Sequence, residues 1–270
     1  MSGISWAVRL CAVTAVSVVS VSAEAALSCP FADGNGTVAG ACITEQGTWR
    51  TSLQARDWAG NGVGVDAYYD SFLNLTWLAD ANWAQTSDHD SDGLMTFGDA
   101  KAWADGLTLF GGSDWRLPTV TPVNDATHFN TTFSNNGSTD WGYARTGVGG
   151  GWGRHSEMGY MFYVHLGNKG FATPNDAEPG SQVMQSGWGP TNTGPFANLQ
   201  PAPYWTDRAF DSSFAWSFGF GDGFQNHGSP QSAGRRAWAV HPGDLLIPVP
   251  AALPLFVSAV AVVLARARRR

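Results

Sequence analysis

The chain has 270 residues, 43% hydrophobic and only 14% charged. Between Leu27 and Ile247, 10 Lys and Arg stand against 21 Asp and Glu, a net charge of −11. That sign argues against nucleic acid or anionic lipid as a partner and suits the binding of cations, while roughly 220 residues suffice for a single domain with its own core.

In chain order, residues 1–25 carry one positive charge (Arg9), an apolar run from Leu10 to about Val21, and small residues at Ala23 and Ala25. This is the layout of a secretory signal removed by signal peptidase. Cleavage after Ala23 and after Ala25 both fit, and a lasting N-terminal anchor is the alternative. Cys11 leaves with this segment, so Cys29 and Cys42 remain. In an oxidising compartment a disulfide between them is expected. Residues 26–64 are rich in Gly, Asn and Thr and read as an irregular or short-stranded lead-in.

Residues 65–78 alternate well enough for a strand pair. The next segment runs Asp88-His89-Asp90-Ser91-Asp92-Gly93-Leu94-Met95-Thr96-Phe97-Gly98-Asp99. It puts carboxylates at loop positions 1, 3, 5 and 12, with Gly at 6. A hard Ca2+ ion needs six to eight oxygens on a tightly curved backbone. Asp88, Asp90, Asp92, the Leu94 carbonyl, Thr96 and Asp99 would supply them. Asp at position 12 is shorter than the usual Glu, and no strong entering helix precedes Asp88. The alternative is a polar turn that caps a helix without metal. Thr96 and Asp99 have capping-box spacing for a helix over 96–106 whose apolar face is Phe97, Ala100, Ala104 and Leu107.

Trp115-Arg116-Leu117-Pro118-Thr119 closes a second compact unit. Residues 135–203 are dense in Gly, Asn, Ser and Trp, broken by one strand- or helix-like segment at 158–166. Long loops of this kind are usually functional or mobile. Trp141, Trp152 and Trp188 lie there, and their faces could stack on a sugar ring, core packing being the alternative. His155, His165, His227 and His241 never reach the spacing of a zinc motif and read as scattered exposed histidines. The Gly-rich run 147–153 lacks the Lys-Ser/Thr of a phosphate loop, and Glu178-Pro179-Gly180 departs from a lectin Glu-Pro-Asn motif. No Ser/His/Asp or paired-acid pattern stands out. From Tyr204 a period-two pattern returns through 214–220, a Gly221-Asp222-Gly223 turn, and 236–240.

The tail, 247–270, has Pro248-Val249-Pro250, an apolar stretch from Ala251 to Ala265, and Arg266, Arg268, Arg269 and Arg270. A helix opened by Pro254 would be roughly 22 Å long at ~1.5 Å per residue, thin against a ~30 Å hydrocarbon core. The arginines would stay cytoplasmic and the rest outside.

Two resemblances follow from these residues. The proline motif, short membrane segment and Arg cluster over 245–270 resemble the PEP-CTERM group, with Pro248-Val249-Pro250-Ala251-Ala252 close to its VPLPA variant. That implies recognition and cleavage near the motif by an exosortase, a membrane cysteine protease; the Pro-Glu-Pro triplet itself is missing, and an ordinary C-terminal anchor is the alternative. Leu75-Thr76-Trp77-Leu78-Ala79-Asp80-Ala81-Asn82, Asp114-Trp115-Arg116-Leu117-Pro118-Thr119, Tyr204-Trp205-Thr206-Asp207 and Ala237-Trp238-Ala239-Val240-His241-Pro242-Gly243-Asp244 resemble, in this order, the Lcl C-terminal domain across 65–244. The Trp-Arg-Leu-Pro-Thr piece is also similar to a motif of formylglycine-generating-enzyme domains. The resemblance implies an α+β, C-type-lectin-like fold, its first and last strands brought together under a long loop region. The expected function is a non-catalytic surface or matrix module binding polysaccharide, with Ca2+ as a structural ion. The alternative is a secreted hydrolase on the same scaffold. The formylglycine oxidase chemistry needs a cysteine pair, and no cysteine follows Cys42.

Overall fold

A computed structural model describes residues 47–58, 64–146, 151–173 and 182–245, with the backbone of two short strands, β1 (Cys29–Pro30) and β2 (Thr37–Val38). Cys29 pairs with Val38 in that ladder. The expected signal segment with Ala23 and Ala25, the Cys29–Cys42 bridge, Glu178-Pro179, and the tail with Pro248, Val249 and Pro250 lie outside the described residues. Among the described residues, no helix is long and apolar enough to cross a membrane.

The expected strand pair is a hairpin of β4 (Ala67–Asp70) and β5 (Leu75–Leu78), in register from Ala67 opposite Leu78 to Asp70 opposite Leu75. Its reversal is fixed chemically: Asp70 Oδ1 accepts the Phe72 and Leu73 N–H groups at 2.9 and 3.0 Å, and Asn74 takes a left-handed φ of 55°. Asn tolerates that conformation better than most residues. Two further strands complete an antiparallel sheet. β3 (Leu53–Arg56) comes from the lead-in, directly after the four-residue helix α1 (Trp49–Ser52), and pairs with β4. β11 (Val240–Pro242) pairs with β5.

The sheet order is therefore β11-β5-β4-β3. The last strand, β11, shares a sheet with β3, not with the first strand β1, and β11 and β3 occupy its opposite edges. An ion pair joins these edges, with Arg56 Nη2 2.6 Å from Asp244 Oδ2 and Nε 2.8 Å from Oδ1.

The second sheet has the order β6-β7-β10-β9-β8. It comprises β6 (Phe133–Ser134), β7 (Trp141–Gly142), β8 (Pro203–Ala209), β9 (Phe214–Gly219) and β10 (Gln225–Pro230), with β6 and β7 parallel and the other pairs antiparallel. β10 follows the Gly221-Asp222-Gly223 turn and was hidden by its polar composition. The expected strand over 236–240 is instead a crossing: Arg236 bridges to Tyr204 in one sheet, and Val240 pairs with Trp77 in the other.

A second crossing is the Trp-Arg-Leu-Pro-Thr run. The Arg116 backbone pairs with Val240, while Pro118 O accepts the Asp207 N–H at 2.9 Å. Arg116 grips Glu157 with both prongs, at 2.8 Å each, and Glu157 Oε2 also accepts the Thr119 N–H at 2.7 Å. Glu157 begins α4 (Glu157–Tyr160), capped by Ser156 Oγ and continued by a π-helical turn, Met161–His165.

The core between these elements is aromatic. Trp77, Trp115, Trp205, Trp216 and Trp238 are all fully buried. Trp77 and Trp238 lie 4.7 Å apart, and Trp238 meets Phe196 edge-on at the same distance. Such tilted contacts bring positive ring edges to negative faces. The indole N–H groups of Trp238 and Trp205 donate to Leu78 O and Met95 O, so burying them costs little. The predicted helix is α3 (Phe97–Asp105), preceded by the short α2 (Trp83–Thr86). Phe97, Ala100, Trp103 and Ala104 are its buried face, with Phe97 5.6 Å from Trp205. Among the described residues the protein is thus an α+β fold of two main sheets, with the β1–β2 ladder besides and few, short helices.

Candidate ligand groove

The Asp-rich loop folds around its own carboxylates. Asp90 Oδ1 accepts the N–H groups of Asp92, Gly93 and Leu94 at 3.2, 2.7 and 3.2 Å, and Asp92 Oδ1 accepts Leu94 N at 2.9 Å. Slight burial works against the Asp90 carboxylate, yet these donors hold it below its ordinary range. Gly93 is needed where it stands, since its φ is +72° and a Cβ there would sit 2.6 Å from Asn82 Oδ1. Thr96 caps α3, accepting from Asp99 N at 3.3 Å and donating to Asp99 Oδ2 at 2.6 Å. His89, Asp90, Leu94, Thr96, Asp99 and Trp103 line a shallow groove of about 430 Å3. Among the described residues, no three His, Cys, Asp or Glu side chains are grouped so that they could hold a metal ion. Asp88, Asp90, Asp92 and Asp99 are therefore neighbours along the loop without converging on one point.

A larger groove, of about 640 Å3, opens at the far end of β8. Its walls are Phe129, His128 and Thr127 on one side and Asp207, Arg208 and Phe210 on the other. The Arg208 guanidinium lies 5.8 Å from the Phe129 ring centre, within cation–π range. Phe210 is 40% exposed, so its ring is available to a ligand. Behind the groove runs a continuous row of rings. Phe129 is 4.6 Å from Trp216, Trp216 5.5 Å from His227, Phe210 4.5 Å from His227, and His227 5.2 Å from Trp141.

Three polar atoms in this row, Trp141 Nε1, Trp216 Nε1 and His227 Nδ1, and one atom of the groove wall, Asp207 Oδ1, are buried without a hydrogen-bond partner in the protein. Orphaned buried groups are uncommon and call for a specific reason. Burial raises the pKa of Asp207, against the pull of the Thr119 hydroxyl and of Arg116, Lys101 and Arg208. Burial also lowers the pKa of His227, opposed by Asp211.

The three tryptophans singled out by sequence are not brought together. Trp141 is half-buried and reaches the groove only through His227. Trp188 is 37% exposed and stands edge-on to Phe171. Trp152 is in the core, 2% exposed, packed on Tyr163 and Phe218 and donating to Thr139 O at 2.6 Å. It has no face left for a sugar. Phe129 and Phe210, which do line a groove, carry no sequence signal beyond a bulky residue at the end of a strand or loop.

The histidines also need correction. His155 is half-buried beside Thr121, and His241 packs edge-on against Trp115. His165 is fully buried, not exposed. Its Nε2 is 2.7 Å from Asp70 Oδ2, and its Nδ1 is 2.8 Å from Ser52 Oγ and 3.0 Å from Thr48 Oγ1. Ser52, Asp70 and His165 are separated by 18 and 95 positions, so no local spacing announces them. The chain thus does contain a Ser/His/Asp constellation, supplied by α1, β4 and the π-helical turn.

No family model, curated protein or solved structure matches this chain.

Proposed function

We propose that the protein is an exported binding module of the cell surface or extracellular matrix, and that it holds a polysaccharide in the groove between Phe129 and Phe210. The observation that carries this reading is the ring row ending in an open groove between Phe129 and the exposed ring of Phe210, with Arg208 over the Phe129 ring. Aromatic faces cover the apolar faces of sugar rings, and the polar side chains of the groove walls, Thr127, His128 and Arg208, suit hydroxyl groups. The acidic balance of the exported part leaves neutral or cationic polymers favoured over nucleic acid.

In this proposal the fold is C-type-lectin-like, of the Lcl C-terminal type. Its support is the likeness of the quoted motifs, together with two sheets stitched at Trp115–Thr119 and only short helices and strands among the described residues between β5 and β8. Export rests on the signal-like residues 1–25. Sorting rests on the VPLPA-like tail, which an exosortase would process near Pro248 to Pro250. Ca2+ is a structural ion for the 88–99 loop, bound by Asp88, Asp90, Asp92, the Leu94 carbonyl, Thr96 and Asp99 after a rearrangement that draws their oxygens together.

A glycan array probed with the full-length protein, with and without calcium, tests the reading. Saturable binding to a defined sugar that weakens in Phe210→Ala supports it. Absence of any binding, with or without calcium, rejects it.

A further inference from the structure

The Ser52, His165 and Asp70 side chains form a hydrogen-bonded row that the binding function does not use. Asp70 and His165 are completely buried, whereas Ser52, at the end of α1, is half-buried. The row therefore has one end sealed in the core and one partly open to solvent at Ser52. At the sealed end, Asp70 Oδ1 is held by two backbone N–H groups while Oδ2 faces His165 Nε2 at 2.7 Å. A carboxylate on Nε2–H leaves Nδ1 as the acceptor nitrogen, 2.8 Å from Ser52 Oγ. Tyr160 packs edge-on against the imidazole at 4.8 Å and fixes its plane. A nucleophile bonded to a base, and the base bonded to an orienting acid, is the arrangement that activates a hydroxyl.

We propose that Ser52 is an acyl acceptor, activated by His165 and positioned through Asp70, that reacts with activated acyl esters. Ser52 Oγ adds to the ester carbonyl while its proton passes to His165 Nδ1. The C–O bond to the leaving group breaks, and the alcohol departs with that proton. Water then attacks the Ser52 ester through the same base, releasing a carboxylic acid and restoring the hydroxyl.

Two features set the speed of this chemistry. Thr48 Oγ1, 3.0 Å from Nδ1, competes for the base, while Thr48 O accepts the Ser52 hydroxyl at 2.8 Å. Neighbouring backbone donors are already engaged, with Leu53 N on Trp49 O and Ser71 N on Ser52 O, and so do not form an oxyanion hole. Capture of reactive acyl groups is therefore expected to be faster than turnover of ordinary esters.

The test is a fluorophosphonate, which loses fluoride when an activated serine oxygen bonds to phosphorus. Full-length protein should gain one phosphonyl group, mapped by mass spectrometry to the peptide containing Ser52, and Ser52→Ala should lose the gain while keeping its melting temperature. Should that variant unfold, Ser52→Cys provides the second measurement: its thiol at position 52 should react with iodoacetamide about tenfold faster than free cysteine in the same buffer. No labelling of the wild type, labelling that persists in folded Ser52→Ala, or a thiol in Ser52→Cys no faster than free cysteine overturns the proposal. None of these results bears on sugar binding at Phe210.

Discussion

Arg116 and Glu157 meet as a two-pronged pair, Nη1 to Oε2 and Nη2 to Oε1, both at 2.8 Å. The pair sits where the Trp-Arg-Leu-Pro-Thr run crosses between the sheets, so it fastens α4 to that seam. Glu157 is 7% exposed, and removing Arg116 would leave its carboxylate buried without a counter-charge, held only by the Thr119 N–H. Arg116→Met is expected to cost about 3 kcal/mol in urea unfolding, and Arg116→Met with Glu157→Leu should recover much of that loss. Equal destabilisation by the single and double variants would show that the charge pair is not what holds the seam.

The groove makes a separable prediction. Phe210→Ala and Phe129→Ala should each weaken sugar binding by about twofold to thirteenfold, the range of ~0.5–1.5 kcal/mol for an aromatic contact. Phe210 is exposed enough that its loss should leave the melting temperature nearly unchanged. Titration calorimetry with the sugar selected on the array measures the effect. Trp152→Ala, by contrast, empties part of the core and is expected to cost about 3–5 kcal/mol of stability.

Calcium is expected to raise the melting temperature by about 5–10 °C when it is a hundredfold above its dissociation constant. Asp88→Ala with Asp92→Ala should remove the rise. Superimposable melting curves in calcium and in chelator would eliminate the 88–99 loop as a cation site.

The pH dependence of Asp207 has a definite sign. Its folded-state pKa is raised, chiefly by burial, above the ordinary 3.8. Its contribution to stability is therefore complete below 3.8 and is lost as pH rises through the folded value. Asp207→Asn should be more stable than the wild type near neutrality, with the difference closing as pH falls towards 3.8. Thermal melts of both proteins across that range measure it, and a gap independent of pH would contradict the assignment.

These predictions divide along the line between local and long-range information. The β4–β5 hairpin, the Thr96 cap and α3 were legible because period and capping chemistry act within a dozen residues. β3 was not, since its strand character comes from pairing with β4 across a Gly-rich stretch. The run 236–240 misled for a similar reason, its alternation serving two sheets in succession. The Asp-rich loop could be read as a motif, but where its carboxylates point depends on backbone N–H groups that no spacing reveals. Phe129, Phe210 and Asp207, and likewise Ser52, Asp70 and His165, come together only through the fold.

The edge position of β11 has a mechanical meaning. A pull on the chain beyond Leu245 would load three paired residues, Val240 to Pro242 against Leu75 to Trp77, in series with the Arg56–Asp244 clasp at the opposite edge. Because β11 is antiparallel to β5 and is held on its other side only at Val240, by the Arg116 backbone, its resistance to tension depends on that bridge, on the clasp and on the burial of Trp238 just upstream. A tethered form of the protein would thus carry its tugging strength in the short run from Val240 to Leu245, where Gly243 is also tied to Asn74 and Thr76, and Arg56 would be the charged fastening to cut.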